Sequence, residues 1–366
     1  MKKQWTMLLV VMFALTSLVL TSCSDDDDDS NLTTMNAADV VAYMDANEMT
    51  QADFLTGWKI SAADLYTLIS DGVDTNDPYI MDLRSSTLYG KGHIQGAHNV
   101  LYADVLDSAD TYVTGQDIVV QCYTGQSAAH AVVALRLAGY SASSLGYGIS
   151  GWRADIDDGN DGDLTGANDL QFNYFTKGTG NVLDSVDVAS AWIPAGSATG
   201  VAGLPTPVDE YLPTVSYSGD SEAAILRARA EAILGQFKKI SAYGADGVLE
   251  NVDDTDLFIN HFWSKVAEYG NIKNSYNIYP MDITLLDPSK KIINCCWTGQ
   301  SASIIAAYLT AIGYESWTLG NGANSMVYDA MTDPAIDSAT GWGAYPYPTV
   351  NNDGVTPLPI EGTVVK

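Results

Sequence analysis

Basic side chains are scarce in this chain: 17 Lys and Arg stand against 45 Asp and Glu, a formal charge of −28 over 366 residues. A surface of that sign repels nucleic acid and anionic lipid headgroups, so neither is an expected direct partner. Cysteine is scarce too, with Cys23, Cys122, Cys295 and Cys296 making up the full set. Four thiols, two of them adjacent, do not make a disulfide scaffold. The four histidines and few thiols show no metal-ligand spacing, so no metal and no organic cofactor is expected. Membrane-spanning length is lacking as well. The main apolar stretch, residues 7–20, falls short of the roughly 20 residues a helix needs to cross a bilayer.

That stretch has the proportions of a signal-peptide core, with Lys2 and Lys3 as its basic start. It ends in Leu20-Thr-Ser-Cys23, small residues directly before a cysteine, which resembles the bacterial lipobox. The resemblance implies a signal peptide over 1–22, cleavage before Cys23 and lipid attachment at its thiol. Membrane contact through those acyl chains follows, with the protein held at the cell envelope and facing the periplasm or the exterior. Losing Lys2 and Lys3 would take the charge to −28 − 2 = −30. Residues 24–30 read S-D-D-D-D-D-S; their mutual repulsion keeps them solvated, as a tether. Residues 23–50 are thus read as anchor, acidic tether and a short amphipathic helix.

What the remainder does have is a repeat. Cys122-Tyr-Thr-Gly-Gln-Ser-Ala128 returns as Cys296-Trp-Thr-Gly-Gln-Ser-Ala302, and nine of the 19 positions from Cys122 to Tyr140 match those from Cys296 to Tyr314 without a gap. Each block follows a β-branched run, Asp117-Ile-Val-Val-Gln121 or Lys291-Ile-Ile-Asn-Cys295, and leads into an alanine-rich segment ending in Gly-Tyr. This predicts strand, tight loop and helix, with Gly139 near the helix end, twice over. Leu145-Gly-Tyr-Gly and Leu319-Gly-Asn-Gly follow at equal spacing as a further strand and its turn. Upstream, Ser61-Ala-Ala-Asp64 predicts a capped helix start and Tyr79-Ile-Met-Asp-Leu-Arg84 a strand. Strands alternating with helices imply parallel sheets.

Asp82-Leu-Arg84, Gly92-His-Ile-Gln-Gly-Ala97 with Asn99, the Cys122 loop, and Gly148-Ile-Ser-Gly-Trp152 together resemble the rhodanese domain, over roughly residues 58–152. The second copy resembles it through residues 296–322, but its upstream part has eroded. Gly270-Asn-Ile-Lys-Asn-Ser275 and Asn277 stand where the first copy has Gly92 to Ala97 and Asn99, and no clear Asp-x-Arg precedes them. The resemblance implies an α/β fold of two rhodanese-like domains, each a small parallel sheet flanked by helices on both faces. The expected boundaries are domain 1 over 51–155, a linker over 156–213, a partly degenerate domain 2 over 214–340 and an irregular tail over 341–366.

It also implies a sulfurtransferase, in which Cys122, and by repetition Cys296, takes a sulfane sulfur from a donor as a persulfide. A thiol or cyanide-like acceptor then removes it. The chemistry needs a stabilised sulfur anion, and a cysteine between a strand and a helix start meets backbone N–H groups and the positive end of the helix dipole. Tyr123, Thr124, Gly125, Gln126 and Ser127, and their counterparts Trp297, Thr298, Gly299, Gln300 and Ser301, are the expected substrate-binding set. Gly125 serves the tight turn, Ser127 is a candidate helix cap, and Thr124 and Gln126 are candidate donors to the outer sulfur. Asp82, Arg84 and His93 are expected structural supports. A related cysteine phosphatase or arsenate reductase is excluded, because each loop lacks a cation and Ala128 or Ala302 stands six after the cysteine. Neutral loops on an acidic surface predict slow use of thiosulfate, leaving polysulfide or persulfide as equal candidates. The competing reading is a non-catalytic binding or redox-sensing module, with Cys295 and Cys296 able to pair under oxidation.

Overall fold

Two short β-branched runs form the centres of two parallel sheets. The computed structural model describes residues 32–47, 49–152, 192–194, 205, 212–262, 270–279, 281–323, 325–326 and 360–361. The expected signal peptide, Cys23, the aspartate run and most of the linker and tail lie outside these. In the first half, β1 (Thr33–Asn36) leads into α1 (Ala37–Ala46) and α2 (Gln51–Phe54). Then come β2 (Lys59–Ile60), α3 (Ala62–Ile69), β3 (Tyr79–Asp82), α4 (Ser86–Lys91), β4 (His93–Ile94) and β5 (His98–Asn99). The half closes with α5 (Val105–Tyr112), β6 (Ile118–Gln121), α6 (Gln126–Leu137), β7 (Ala142–Leu145) and α7 (Ile149–Trp152).

The second half runs through β8 (Trp192–Pro194), β9 (Ser216–Gly219), α8 (Glu222–Leu234), β10 (Lys239–Ile240), β11 (Leu257–His261) and β12 (Gly270–Ile272). It continues with β13 (Lys291–Cys295), α9 (Gln300–Ala311) and β14 (Ser316–Leu319), and β15 (Ile360–Glu361) follows near the chain end. The sheets have the orders β2-β7-β6-β3-β5 and β10-β14-β13-β11. All pairings within them are parallel, as crossover helices require.

Alternation along the strands decides what each sheet face meets. In the first sheet Met81, Ile118 and Val120 pack with α5 and α6, whereas Ile80 and Val119 face Ala62 and Leu65 of α3 and Ile149 and Trp152 of α7. Helices therefore cover both faces there, as expected. The second sheet differs. Phe258 and Ile292 pack toward α8 and α9, but Ile259 and Ile293 meet Ala242, Val248, Leu249 and Val252. Those four belong to a turn-rich stretch that stands where α3 stands in the first half, and the helical Met326 packs into the same cluster. Gly244 and Gly247 break that stretch before a helical turn can propagate.

One core joins the halves. Residues of α6, α8 and α9 share a single buried cluster, and Phe54 meets Tyr308 across it at 5.5 Å between ring centroids. From Leu32 onward the described residues form one compact unit, so the two predicted domains are two sheets in one body. Cross-pairing reinforces this. β1 pairs antiparallel with β9, and the expected linker and tail are not wholly irregular: β8 pairs with β12 and β15 with β4. Among the described residues no helix is long and apolar enough to cross a membrane.

Caps follow the residues that can make them. Asn36 and Asp39 close a reciprocal box on α1; Ser61, Ser85 and Ser221 accept from the third helical N–H of α3, α4 and α8. At the end of β3, Asp82 and Arg84 form a fully buried ion pair at 2.6 Å, and the Arg84 guanidinium also donates to the Gly92 carbonyl at 2.7 Å. Arg84→Leu leaves the Asp82 carboxylate buried without its cation and is expected to cost about 3–5 kcal/mol of stability. Urea unfolding of the variant checks this; a loss below about 1 kcal/mol would make the pair dispensable.

Candidate active site

Cys122 follows the last residue of β6, at the carboxyl end of the sheet, where ligands of open α/β sheets gather. The chain then turns through Tyr123 and Thr124 to Gly125, which has φ +83° and opens α6 with no side-chain cap. Ser127 was the candidate cap, but the helix starts two residues too early for it, and Ser127 lies inside the first turn. A left-handed glycine in place of a Ser or Asp cap leaves the first amides of the helix to other acceptors. The Gly125 N–H donates to Cys122 Sγ at 3.2 Å. Behind the loop, Gly148 (φ +59°) lies so close that a Cβ there would collide with the Cys122 carbonyl, and the Ile149 N–H donates to that carbonyl at 2.8 Å.

The second loop copies this closely. Gly299 has φ +80°, α9 also starts without a side-chain cap, and Ala302 N–H donates to Cys296 Sγ at 3.3 Å. Gly322 abuts the Cys296 carbonyl, which accepts from Ala323 N–H at 2.8 Å. Amides of Ala302, Thr298, Gly299 and Ser301 all favour the Cys296 thiolate, yet burial outweighs them and pushes the thiol above its ordinary value. Cys295, at the β13 position matching Gln121, is buried in the core and raised further, by burial and then by the neighbouring Cys296 charge. Cys122, Cys295 and Cys296 are separate free thiols in the structure.

The two loops face each other. Gln126 Nε2 donates to the Thr298 carbonyl at 2.8 Å and to Asn321 Oδ1 at 3.2 Å. Gln300 Nε2 donates to Ser144 Oγ at 3.0 Å and the Leu145 carbonyl at 2.9 Å, while its Oε1 accepts from Tyr147 N–H at 3.0 Å. A Cβ on Gly125 would strike the Gln300 side chain, and one on Gly299 the Gln126 side chain. Both glutamines, read from the motif as substrate contacts, thus have their amides engaged across the seam between the halves.

A cavity of about 170 Å³ opens on Cys122 and is lined by Tyr123, Thr124, Ser127, Lys239, Gly320 and Asn321 as well. The neutral loop therefore does not make a neutral site: an ammonium reaches it from the other half. Lys239 was missed by the loop motif, although the signal is in the sequence, since Lys59-Ile-Ser-Ala62 recurs as Lys239-Ile-Ser-Ala242. Nearby, Tyr102 hydroxyl and His130 Nδ1 lie 2.7 Å apart, and the Phe237 ring packs against both. Burial holds His130 down at about 3, so it is neutral, and raises Tyr102, with the Cys122 charge adding to the effect.

The supports lie beside the loop. Arg84 stands 6.0 Å from the Tyr123 ring centroid, and Asn99 donates to the Asp82 and Arg84 carbonyls at 3.0 and 2.8 Å. His93 stacks on Tyr89, with Nδ1 2.9 Å from the Tyr89 carbonyl. In the second half the strand register puts His261 beside Cys295 as Asp82 is beside Gln121. Asn277 donates to the His261 carbonyl at 2.7 Å, the counterpart of Asn99. The missing Asp-x-Arg is thus a buried histidine held down at about 3, neutral where the first half is ionic.

Residues 61–155 match the rhodanese-like domain family, close to the span marked by the motifs. That stretch of the chain is a rhodanese-like domain. Similar solved structures include the rhodanese-like domain protein from Staphylococcus aureus, 19% identical, covering 26% of this chain and 89% of that one with a TM-score of 0.24. The thiosulfate sulfurtransferase from Pseudomonas aeruginosa is 13% identical over 89% of this chain and 70% of that one, TM-score 0.27. Reduced CoADR-RHD from Bacillus anthracis is 19% identical over 29% of this chain, which spans only 17% of that one, TM-score 0.24. No curated protein matches the chain.

Both loop cysteines are buried, Cys122 in the first core cluster and Cys296 in the second, but Cys122 lines a cavity and burial raises the Cys296 pKa. Neutral iodoacetamide is expected to label Cys122 at least about tenfold faster than Cys296 near neutral pH, with Cys296 gaining only above the ordinary thiol range. Peptide mass spectrometry over a pH series reads both rates, and equal labelling would contradict the difference.

Proposed function

We propose that the protein is a rhodanese-type sulfurtransferase whose working nucleophile is Cys122. The observation that carries the reading is the Cys122 sulfur at the mouth of an uncapped helix, accepting from Gly125 N–H and open to a cavity. The thiolate electron pair forms a bond to the donor's outer sulfur, and the bond from that sulfur to the rest of the donor breaks, its pair leaving with the donor remnant. The enzyme then carries Cys122–S–S⁻. A thiol or cyanide-like acceptor attacks the outer sulfur, and the Cys122 thiolate leaves. The same dipoles serve the starting thiolate and the persulfide, so neither charged state is left in an apolar pocket.

The second half is read as a degenerate rhodanese-like domain. Its cysteine has a cradle of amides but is pushed toward the protonated form by burial, which favours a supporting role over turnover at Cys296. The non-catalytic alternative thus attaches to this half. We further read the chain as a lipoprotein, with Cys23 carrying the acyl anchor at the cell envelope. That reading stands on the lipobox-like Leu20-Thr-Ser-Cys23 alone.

Incubation with a sulfane donor is expected to add one sulfur to the Cys122 peptide by mass spectrometry and to give thiocyanate from cyanide. Cys122→Ser is expected to lower turnover on the order of a thousandfold or more, with Cys296→Ser changing it severalfold at most. Absence of the persulfide and of thiocyanate in the wild type would overturn the enzyme reading.

A further inference from the structure

The Cys122 cavity is closed from the opposite half of the molecule. Cys122, Tyr123, Thr124 and Ser127 form one side, and Lys239, Gly320 and Asn321 the other. Lys239 begins β10 and pairs with Thr318 toward the carboxyl end of β14, which points its strand at the loops. Its Nζ stands 5.2 Å from the Phe237 ring, and that ring packs on His130 and Tyr102 of the first half. Asn321, with φ +60°, lines the cavity beside Gly320 and accepts from Gln126. Among the described residues lining the cavity, Lys239 is the one cation.

The side chain is at the mouth, exposed to water on one side and crowded by protein on the other. Crowding lowers the ammonium pKa, and the Cys122 charge opposes that. The arrangement is reciprocal. Lys59 pairs with Ser144 of β7 as Lys239 pairs with Thr318 of β14, and its Nζ stands 5.3 Å from the ring of Tyr147, the counterpart of Asn321. The Cys296 charge acts on Lys59 as the Cys122 charge acts on Lys239. Each half therefore offers the lysine of its first sheet strand to the cysteine of the other.

We propose that Lys239 recognises an anionic group on the ligand of the Cys122 site, so that the second half supplies the specificity of the first half's nucleophile. The proposal deepens the sulfur-transfer reading and rests on it for the ligand being a sulfur donor. A chain with 45 acidic and 17 basic residues repels a small anion, and the loop offers only neutral side chains. One ammonium beside the sulfur counters that locally: it pairs with the donor's anionic end, and with the leaving anion after the sulfur–donor bond has broken to form Cys122–S–S⁻. The donor class selected is an anionic sulfane compound, a thiosulfonate-like or persulfide anion, over a neutral polysulfane.

The test uses the full chain with Lys239→Met, Lys239→Arg and, for an equal change in net charge at the amino end of β13, Lys290→Met. Labelling rates of the Cys122 peptide by iodoacetate and iodoacetamide give an anion-to-neutral ratio that needs no turnover. Lys239→Met is expected to lower that ratio about five- to tenfold, while Lys239→Arg and Lys290→Met stay within about twofold. In turnover, KM for thiosulfate should rise in Lys239→Met, with KM for dimethyl trisulfide unchanged. An unchanged labelling ratio in Lys239→Met overturns the proposal even if the persulfide forms. A lowered ratio in a protein that forms no persulfide from either donor keeps anion recognition by Lys239 and removes the sulfur donor as its ligand.

Discussion

A helix start without a side-chain cap is the constraint from which the rest of this molecule follows. The opening amides of a helix need acceptors, and a Ser, Asp or Asn at the cap ordinarily provides one. Among the described helices of eight or more residues, α1, α3 and α8 have such a cap. The two that follow the cysteine loops begin at a left-handed glycine, with φ +83° and +80°, and their amides turn toward sulfur instead. The glycine is needed twice over. Its φ suits no side chain well, and the glutamine of the opposite loop occupies the space a Cβ would take.

Glycine in that turn also lets the two loops approach closely enough to trade side chains. Gln126 and Gln300 each reach over the other loop and bond to backbone there, a pair of reciprocal clamps buried at the seam. Buried amides of this kind cost stability unless their main bonds are made, so they specify one docking geometry for the halves. Helices α6 and α9 run back from the loops through the shared core, and the seam is thereby an interior. The consequence is chemical: groups from one half become part of the other's surroundings, and a neutral loop acquires an ammonium.

The halves have kept the frame and diverged in the groups that charge it. The cysteine, the left-handed glycine, the glutamine clamp, the glycine against the cysteine carbonyl and the supporting asparagine recur in both. The ionic Asp82–Arg84 brace does not. Its second-half counterpart is a neutral buried histidine, and the Cys296 thiol of the same half is raised by burial. Two sites with the same backbone thus differ in the charge of the groups that brace them.

Local pattern alone determined a good deal. The β-branched runs before each cysteine, the alanine-rich helices after it and the glycines at their ends have short-range causes, and they stand within a residue or two of where the pattern put them. The repeat and the rhodanese-like motifs of the first half belong to the same level. Tertiary structure decided the remainder, because it depends on which surfaces meet. No spacing within C-x-T-G-Q-S says that the glutamine bonds across the seam to the other half, or that Ser127 falls inside the helix once Gly125 becomes the cap. Nor does it say that turns stand on the second sheet where α3 stands on the first, or that strands from the expected linker and tail pair with β12 and β4. Lys239 lies 117 residues beyond Cys122 (239 − 122 = 117) and reaches its cavity only because the two halves pack loop to loop. Charge acts through space, and only the folded seam brings that charge to the sulfur.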